Sequence, residues 1–401
     1  MRLTATALAE KYMNPQRVLV EKPFVSAIEG SQVGKQRINK EGMKRYGNLW
    51  EKVISLENLR IADERARKGK QRSYGVRLHD KNREQNLYAL HMALKTKTYH
   101  TSQYTSFKVY EPKERVIMRL PYYPDRIVHH AIMNVLEPIW IKTFTYNTYS
   151  CIKHRGIDAC ARQTEQNIRR FDGRPLYCLK IDIRKFYPSI NHEVMKKIVR
   201  KTIKDKDLLW LIDEIIDSSD GLPIGNYISQ SLANLCLCYF MHYVNEVLPY
   251  EVQRILGLSE KPLIFSTQYA DDIPFLSDSK EVLRVALGLI KRYIEEDLCL
   301  RLKPNYQIFP IADNRYDRHG RALDYVGFKF YRAQKLMRKS IKQRFCRAVA
   351  KLNKQVGIGF SDYKQAIAPW LGWAQHSDSK HLLSTILKPS FYGYLFRQAT
   401  A

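Results

Sequence analysis

Two adjacent carboxylates at a predicted turn are the residues with the clearest potential for chemistry. Asp271 and Asp272 lie between two short apolar runs, residues 263–268 and 273–276, which predict the strands of a β-hairpin. Asp suits such a turn because its short side chain tolerates unusual backbone angles. Neighbouring carboxylates repel each other, and a hard divalent cation relieves that repulsion in a partly buried hairpin. Taken alone, such a pair is more often an ordinary solvated turn.

A third carboxylate favours a metal site over an ordinary turn. Asp182 follows another apolar run, residues 176–181, and it precedes Asp271 by 89 residues (271 − 182), so only the fold can bring the two together. Two-metal phosphoryl transfer needs carboxylates on neighbouring strands that hold Mg²⁺ ions about 4 Å apart. The alternative for Asp182 alone is a strand-end residue that caps the next helix. Together, the two positions favour the metal-dependent reaction.

Five motifs in a fixed order give the chain a resemblance to a known family. The motifs are IDIRKFYPSI (181–190), GLPIGNYISQSLANL (221–235), YADD (269–272), LRLKPNYQIFPI (300–311) and LDYVGFKF (323–330). With these motifs the chain resembles a reverse transcriptase from about residue 56 to its end. The resemblance implies an α+β, right-hand polymerase fold, with fingers, a palm of antiparallel sheet backed by helices, and a helical thumb.

The resemblance also implies a metal site. Asp182 and Asp271 would hold two Mg²⁺ ions, for which Mn²⁺ could substitute, and the backbone carbonyl of Ile183 would assist. Asp272 would be a catalytic neighbour that is less essential than the other two carboxylates.

Three further residues match positions that surround the incoming nucleotide in the family. Tyr187 matches the aromatic steric gate, whose ring excludes a ribose 2′-hydroxyl, although without the resemblance it would be interpreted as core packing. Arg115, and less directly Lys113, fall at the strand turn that closes over the triphosphate. Cations at that place neutralise charge during transfer, whereas two bases near a turn are otherwise ordinary surface residues.

The second motif narrows the resemblance to one class. Many reverse transcriptases carry Gln before the Gly and Pro after the Ser, but here Ile224 precedes Gly225 and Gln230 follows Ser229. This pattern resembles the reverse transcriptases of diversity-generating retroelements. A Gln can hydrogen-bond an incoming nucleotide, whereas Ile can only pack against it, so base discrimination should loosen. The alternative is that Ile224 only packs the same loop differently.

The charge balance fits a nucleic-acid partner. Lys and Arg number 67 against 40 Asp and Glu, which gives a net charge of +27 and a pI near 9.7. Such a surface favours polyanions, because each phosphate contact releases condensed counterions. A basic protein that merely resists aggregation is the alternative, but this charge exceeds what solubility requires. No membrane partner is expected, since no stretch reaches about 18 uninterrupted apolar residues and the first residues lack a signal-peptide core.

The seven cysteines and eleven histidines show no metal-binding spacing. Cys236 and Cys238 lie in an apolar run, and their separation suits neither a zinc site nor a redox pair. We interpret the thiols as reduced and buried, in a cytoplasmic protein of a bacterial cell, encoded by a chromosome or a phage. His129 and His130 fall in a helical pattern that should turn one ring to the core and the other to the groove.

Four segments are expected along the chain: an N-terminal extension over 1–55, fingers with part of the palm over 56–177, a palm with an interleaved finger segment over 178–330, and a basic helical thumb over 331–401. In the thumb segment, ten bases and no acid lie between Asp324 and Asp362. A helix with this composition has no acid with which its bases could form ion pairs. We therefore favour a helix that binds the phosphates of a template–primer duplex over an ordinary solvated helix. The residues expected to bind primer or template are Tyr325, Gly327, Arg338, Lys339, Lys342 and Arg344.

Two local features complete the prediction. After Tyr331 the only carboxylates are Asp362 and Asp378, too few for an RNase H site. Pro274 removes a backbone donor just after the Asp pair, so the second strand of the hairpin is expected to be bulged or at a sheet edge.

These residues together predict an RNA-directed DNA polymerase, a nucleotidyltransferase that uses dNTPs, a template RNA, its RNA/DNA duplex and Mg²⁺. The resemblance adds a retroelement template, adenine-directed infidelity and a small basic accessory protein. Two alternatives stay open. One is a reverse transcriptase of another bacterial class, such as a retron or phage-defence enzyme. The other is a catalytically idle RNA-binding protein, against which the three carboxylates argue.

Overall fold

The computed structural model describes residues 44–110, 114–355 and 357–397. Lys113 and most of the predicted extension over 1–55 therefore lie outside the described residues. The strands are β1 (Thr105–Val109), β2 (Arg115–Arg119), β3 (Tyr177–Ile181), β4 (Phe265–Ser266), β5 (Ile273–Ser277), β6 (Gln307–Pro310), β7 (Leu323–Tyr325), β8 (Phe328–Phe330) and β9 (Lys335–Met337).

Sixteen α-helices accompany these strands in the described part of the chain. They are α1 (Trp50–Ile54), α2 (Leu56–Arg67), α3 (Tyr74–Asp80), α4 (Arg83–Lys95), α5 (Ile127–Thr143), α6 (Ile157–Arg169), α7 (Phe186–Ser189), α8 (His192–Arg200), α9 (Lys206–Asp217), α10 (Tyr227–Glu246), α11 (Leu248–Leu256), α12 (Lys280–Arg292), α13 (Lys339–Asn353), α14 (Phe360–Gln375), α15 (Lys380–Ile386) and α16 (Pro389–Arg397). Short π-helical turns, Tyr122–Arg126 and Tyr293–Asp297, precede α5 and follow α12.

The chain forms two compact units, each built from three separate stretches. Unit 1 takes the residues up to Cys151, Ile183–Leu248 and Gly288–Pro304, and unit 2 takes Ile152–Asp182, Pro249–Leu287 and the residues from Asn305 onward. The division into an extension, fingers, palm and thumb stays a prediction.

Unit 1 is mainly helical. Helix α5 lies at its centre, because its residues are apolar on nearly every side and ten of them are buried. One carboxylate fixes the ends of two helices: Asp205 accepts the backbone N–H of Leu208 at the start of α9, and its other oxygen accepts those of Leu49 and Trp50 at the start of α1. The hairpin β1–β2 also belongs to this unit, as expected from the sequence.

Unit 2 is organised by a four-stranded antiparallel sheet with the order β4-β5-β3-β6. Strand β3 is an inner strand, and its residues Cys178, Leu179 and Ile181 are buried. Its nearly continuous apolar sequence suits this position. Helix α6 backs the sheet, where the hydroxyl of Thr164 lies 3.1 Å from that of Thr267. Antiparallel strands with packed helices confirm the predicted α+β class.

The expectation for Pro274 was wrong in both of its forms. Strand β5 is an inner strand, and its register with β3 runs from Tyr177↔Ser277 to Ile181↔Ile273 without a bulge. Pro274 is tolerated because β4 pairs only with Phe275 and Leu276, so the ladder on that side ends before the proline.

The C-terminal part of unit 2 contains a second sheet, β7-β8-β9, and a separate small core. Helices α13 to α16 build this core around Phe345, Tyr363 and Phe391, and the Tyr363 and Phe391 rings stack at 3.8 Å. Leu371 and Leu383 lie in the same core, so apolar residues after 369 help to close it.

The histidine and cysteine predictions hold only in part. His129 and His130 are both buried, so neither ring faces an open groove, and the His130 ring stacks on Tyr227 at 4.0 Å. All seven cysteines are free thiols, but Cys151 and Cys299 are exposed. In the described ranges, no helix combines the length and apolarity that a bilayer crossing requires.

Candidate active site

Two strands of the unit 2 sheet bring their carboxylates to one edge. Strand β3 ends at Ile181, directly before Asp182, and its antiparallel partner β5 begins at Ile273, directly after Asp272. Because Ile181 pairs with Ile273, continuing the register places Asp182 opposite Asp272. The charges of Asp271 and Asp182 both act on Asp272, which agrees with this placement. The structure therefore brings Asp182, Asp271 and Asp272 together, although 89 residues separate the first two (271 − 182).

The turn before β5 is tight, and a buried side chain stabilises it. Tyr269 and Asp272 exchange two backbone hydrogen bonds of 3.1 Å, and Ala270 adopts a left-handed φ of +54°. The buried Gln268 side chain donates to the carbonyl of Ala270 at 3.1 Å. Sequence reasoning gave the unusual backbone angle to an Asp, whereas the structure gives it to Ala270. Such a conformation costs about 1 kcal/mol for Ala, which the surrounding contacts offset.

The two carboxylates of the pair have different surroundings. The Nζ of Lys180 lies 3.2 Å from both carboxylate oxygens of Asp272. Burial raises the pKa of Asp272, Lys180 opposes that rise, and the charges of Asp271 and Asp182 add to it. All three carboxylates, Asp182, Asp271 and Asp272, are partly exposed.

This donor set fits Mg²⁺. Mg²⁺ is usually held by one or two carboxylates together with waters and substrate phosphates, and it rarely occupies an all-protein cage. Within the described residues, no group of three or more His, Cys, Asp or Glu side chains is arranged to hold a metal ion. Asp182 and Asp271 would supply two hard oxygen ligands. The side chain of Ile183 has no atom that could bind a metal ion, so only its backbone carbonyl could contribute.

Tyr187 is positioned in unit 1 by a loop that contacts its backbone. It lies in α7 with its side chain partly exposed, and its carbonyl accepts the N–H of Leu222 at 2.9 Å. The neighbouring Gly221 has φ +65°, and a Cβ there would lie 2.5 Å from the carbonyl oxygen of Pro188. Only glycine allows this approach.

The residues predicted around the nucleotide also lie partly together in unit 1. The carbonyl of Ile224 accepts the N–H of Met118 in β2 at 2.8 Å, and a Cβ on Gly225 would lie 2.7 Å from the Met118 carbonyl oxygen. Arg115 is exposed at the start of the same strand. Gln230 is on α10, where its Oε1 accepts from the Sγ of Cys151 at 3.2 Å.

Two of the residues predicted to bind primer or template have structural roles. Tyr325 is fully buried: its hydroxyl donates to the carbonyl of Thr267 at 3.0 Å and accepts from the Sγ of Cys160. Burial raises its pKa well above the usual value. It therefore supports the segment that leads to the catalytic turn and cannot touch a nucleic acid. Gly327 has φ +84°, and a Cβ there would lie 2.1 Å from the ring of Trp373.

The remaining predicted contacts lie at the start of the basic helix α13. Lys339, Lys342 and Arg344 are exposed. Arg338 precedes the helix and pairs with Asp324 at 2.6 Å, so the expectation that these bases have no internal partner was wrong for this residue. Lys335 is likewise paired, with Glu165 at 2.6 Å.

Sequence reasoning missed two residues beside the carboxylates. Lys180 precedes Asp182 by two positions on a strand, so the period of two already placed both on one face. Gln268 carried no such signal, because an apolar run followed by a turn does not show which residue supports the turn.

An antiparallel sheet that brings carboxylates from neighbouring strands to one edge could hold the ions of two-metal phosphoryl transfer. More specifically, residues 108–305 match the family model "Reverse transcriptase (RNA-dependent DNA polymerase)". This stretch is similar to a reverse transcriptase domain, which agrees with the predicted fold class and with the predicted enzyme class, RNA-directed DNA polymerase.

Individual relatives cover smaller parts of the chain. Protein YkfC of Escherichia coli (strain K12) is 27% identical over 154 residues, which are 35% of this chain and 40% of that protein. Nuclear intron maturase 1, mitochondrial, of Arabidopsis thaliana is 24% identical over 100 residues, 25% of this chain and 14% of that protein. The chain thus spans less than half the length of these curated relatives. Apo telomerase from Candida tropicalis aligns with a TM-score of 0.43 and 11% identity, over 75% of this chain and 61% of that one.

Proposed function

We propose that the protein is an RNA-templated DNA polymerase that extends a primer with dNTPs by two-metal nucleotidyl transfer. The observation that carries this proposal is the common sheet edge of Asp182 and Asp271 inside the matched domain. When bound there, Mg²⁺ would activate the attacking 3′-hydroxyl and neutralise charge on the leaving pyrophosphate.

The chain's own residues then have separate tasks in this proposal. Asp182 and Asp271 hold the metal ions, and Asp272 stays beside Lys180. The partly exposed ring of Tyr187, fixed through its backbone by Leu222, limits the room for a 2′-hydroxyl. Arg115 supplies positive charge to the triphosphate, where it stabilises the charge that develops during transfer.

Primer extension tests this proposal directly. Purified protein with Mg²⁺, dTTP and a poly(rA)–oligo(dT) duplex should lengthen the primer, and chelation of the metal should stop the reaction. If the protein binds the duplex in a salt-sensitive way but never extends it, even with its own template RNA and accessory protein added, the proposal is wrong and the RNA-binding alternative stands.

We further propose that the protein belongs to the diversity-generating class and copies a retroelement template RNA with frequent errors opposite adenine. Ile224 supports this, since it replaces the Gln of other reverse transcriptases. Its backbone is fixed by the Met118 hydrogen bond and by the close approach of Gly225 to the same strand. With the backbone held, the type of side chain decides what the loop offers to a nucleotide.

Ile224→Gln should lower misincorporation opposite template adenine by about two- to tenfold, because one hydrogen bond contributes about 0.5–1.5 kcal/mol. Sequencing of cDNA made by both proteins on one RNA template measures the change. Ile224→Leu, which keeps an apolar side chain of equal size, is the matched control and should retain the error rate. Equal error rates for the Gln variant and the wild type would contradict the proposal.

The basic helix α13 supports a template RNA and its RNA/DNA duplex as partners. Its exposed bases include Lys342 and Lys351, and it carries no acid. A small basic accessory protein and a cytoplasmic location in a bacterial cell complete the proposal, and both derive from the sequence resemblance.

Neutralising Lys342 and Lys351 should weaken duplex binding equally for all sequences. Each lysine that contacts a phosphate releases about one counterion, so the slope of log affinity against log salt should become less negative by about one for each substitution to Gln. Fluorescence anisotropy at several salt concentrations measures this slope. Lys280→Gln, at the exposed start of α12, is the control and should leave the slope unchanged. An unchanged slope in the α13 variants would exclude this helix from the interface.

A further inference from the structure

Lys180 joins three features of unit 2 with a single ammonium group. Its Nζ lies 3.2 Å from both carboxylate oxygens of Asp272 and donates to the backbone carbonyl of Asp324 at 2.7 Å. It also lies 6.0 Å from the centre of the Tyr325 ring, whose face attracts cations. The side chain is about one-third exposed.

Lys180 also shares a face of the sheet with the first metal-binding carboxylate. It is two residues before Asp182, and side chains two apart on a strand point to the same side. In the register it pairs with Pro274 of β5 and Gln307 of β6, so it is held in the interior of the sheet. Its ammonium group is therefore a fixed positive charge on the face that carries the metal ligands.

Asp272 depends on this charge. Its Oδ1 is buried and accepts no hydrogen bond from any residue in the described ranges, so the ion pair with Lys180 is what compensates that oxygen. A buried carboxylate oxygen without compensation is costly. The Asp272 side chain is 38% exposed, so without Lys180 its carboxylate would be open to a cation at the adjacent edge.

We propose that Lys180 is a positioning residue that occupies the place of a cation beside Asp272 and so leaves Asp182 and Asp271 as the two metal-binding carboxylates. This inference rests on the proposed polymerase function. The geometry also gives Lys180 a second task. By holding the carbonyl of Asp324, whose carboxylate pairs with Arg338, it connects the catalytic turn to the start of the basic helix α13.

Three substitutions separate these tasks. Lys180→Met removes the charge and the donor, Lys180→Gln keeps a donor for the Asp324 carbonyl but removes the charge, and Lys180→Arg keeps a cation. Asp272→Asn removes the negative charge that Lys180 compensates. Lys280→Met, from the exposed start of α12, controls for the loss of one lysine.

Two readouts are needed, and the first is primer extension. Lys180→Met and Lys180→Gln should each lower kcat by about 10- to 100-fold, the usual effect of removing a residue that orients a metal ligand, with the KM for dNTP changing little. Adding Asp272→Asn to either variant should recover about tenfold in kcat, because a neutral side chain no longer competes for the metal. Lys180→Arg should stay within about threefold of the wild type.

The second readout is Mn²⁺ binding to the protein alone, followed by electron paramagnetic resonance. Lys180→Gln should bind Mn²⁺ about tenfold more tightly than the wild type, since Asp272 is released, and Asp272→Asn should return the affinity to the wild-type value. A merely structural role for Lys180 would lower stability and activity without tighter metal binding and without rescue. If Lys180→Met does not fold, Lys180→Gln carries both readouts.

Unchanged Mn²⁺ affinity in Lys180→Gln, or a loss of kcat that Asp272→Asn does not relieve, would overturn the proposal. A wild-type protein that extends no primer would instead overturn the polymerase function. The Mn²⁺ measurement would still test Lys180 in that case, because it needs neither nucleotide nor template.

Discussion

Asp271→Asn should reduce primer extension by at least about a thousandfold while the protein stays folded. The substitution removes the negative oxygen that a metal ion needs at the sheet edge, and loss of one group that stabilises developing charge already costs about 10²- to 10³-fold. Asp271 is partly exposed at the tip of a turn, so the free energy of unfolding should change by no more than about 0.5 kcal/mol.

Single-turnover extension of a poly(rA)–oligo(dT) primer measures this loss, and thermal unfolding checks the fold. Asp172→Asn is the matched control, because Asp172 lies exposed in the turn after α6 of the same unit. It should retain wild-type extension. A variant at Asp271 that keeps more than about a tenth of the activity would show that this carboxylate does not hold a catalytic metal ion.

Gly327→Ala should destabilise unit 2 by about 3 kcal/mol. A Cβ at this position would lie 2.1 Å from the Trp373 ring, and the backbone has φ +84°. Overpacking costs about 1–3 kcal/mol and the left-handed conformation about 1 kcal/mol for a residue with a Cβ. The Trp373 ring cannot withdraw freely, since it packs on Phe328 at 5.1 Å.

Urea unfolding followed by tryptophan fluorescence gives the two free energies that must be compared. Gly173→Ala is the matched control, because Gly173 has a similar φ of +75° with open space around its Cβ position. It should lose only about 1 kcal/mol, and the difference between the variants reports the contact with Trp373. Equal losses would mean that the ring moves aside without cost.

The sequence predicted that Asp182, Asp271 and Asp272 lie together, but it did not predict the residues that support them. Asp182 and Asp271 stand at the ends of apolar runs, where a charged side chain is unfavourable. Their position therefore marks them in the sequence as candidate functional residues. Lys180 is equally important in the structure, but a lysine on a strand is normally solvated and attracts no notice. The left-handed φ of Ala270 could not be predicted either, because Ala prefers other conformations. Only the structure shows the buried Gln268 contact that stabilises it.

The structure shows packing roles for two residues that the motifs assigned to nucleic-acid contact. Tyr325 and Gly327 lie in a motif that resembles one with nucleic-acid contacts, and the structure uses them to pack the β7–β8 turn and to support Thr267. The sequence predicted the strands β3 and β5. It assigned Pro274 to a bulge or an edge because proline lacks a backbone donor, and it did not show that β4 is only two residues long and ends before this proline.

The way in which the two units share the chain constrains biosynthesis. Strand β3 is complete at Ile181, but its neighbours β5 and β6 begin only at Ile273 and Gln307. A nascent chain halted before residue 307 therefore contains Asp182, Asp271 and Asp272 but still lacks strand β6 of the sheet that orients them. Long-range pairing of this kind is slow, because loop-closure entropy is lost before the contacts form. Until then the apolar β3 is an unpaired strand that can aggregate with other chains. The yield of folded protein should therefore depend on how well the emerging chain is protected from contact with other unfolded chains.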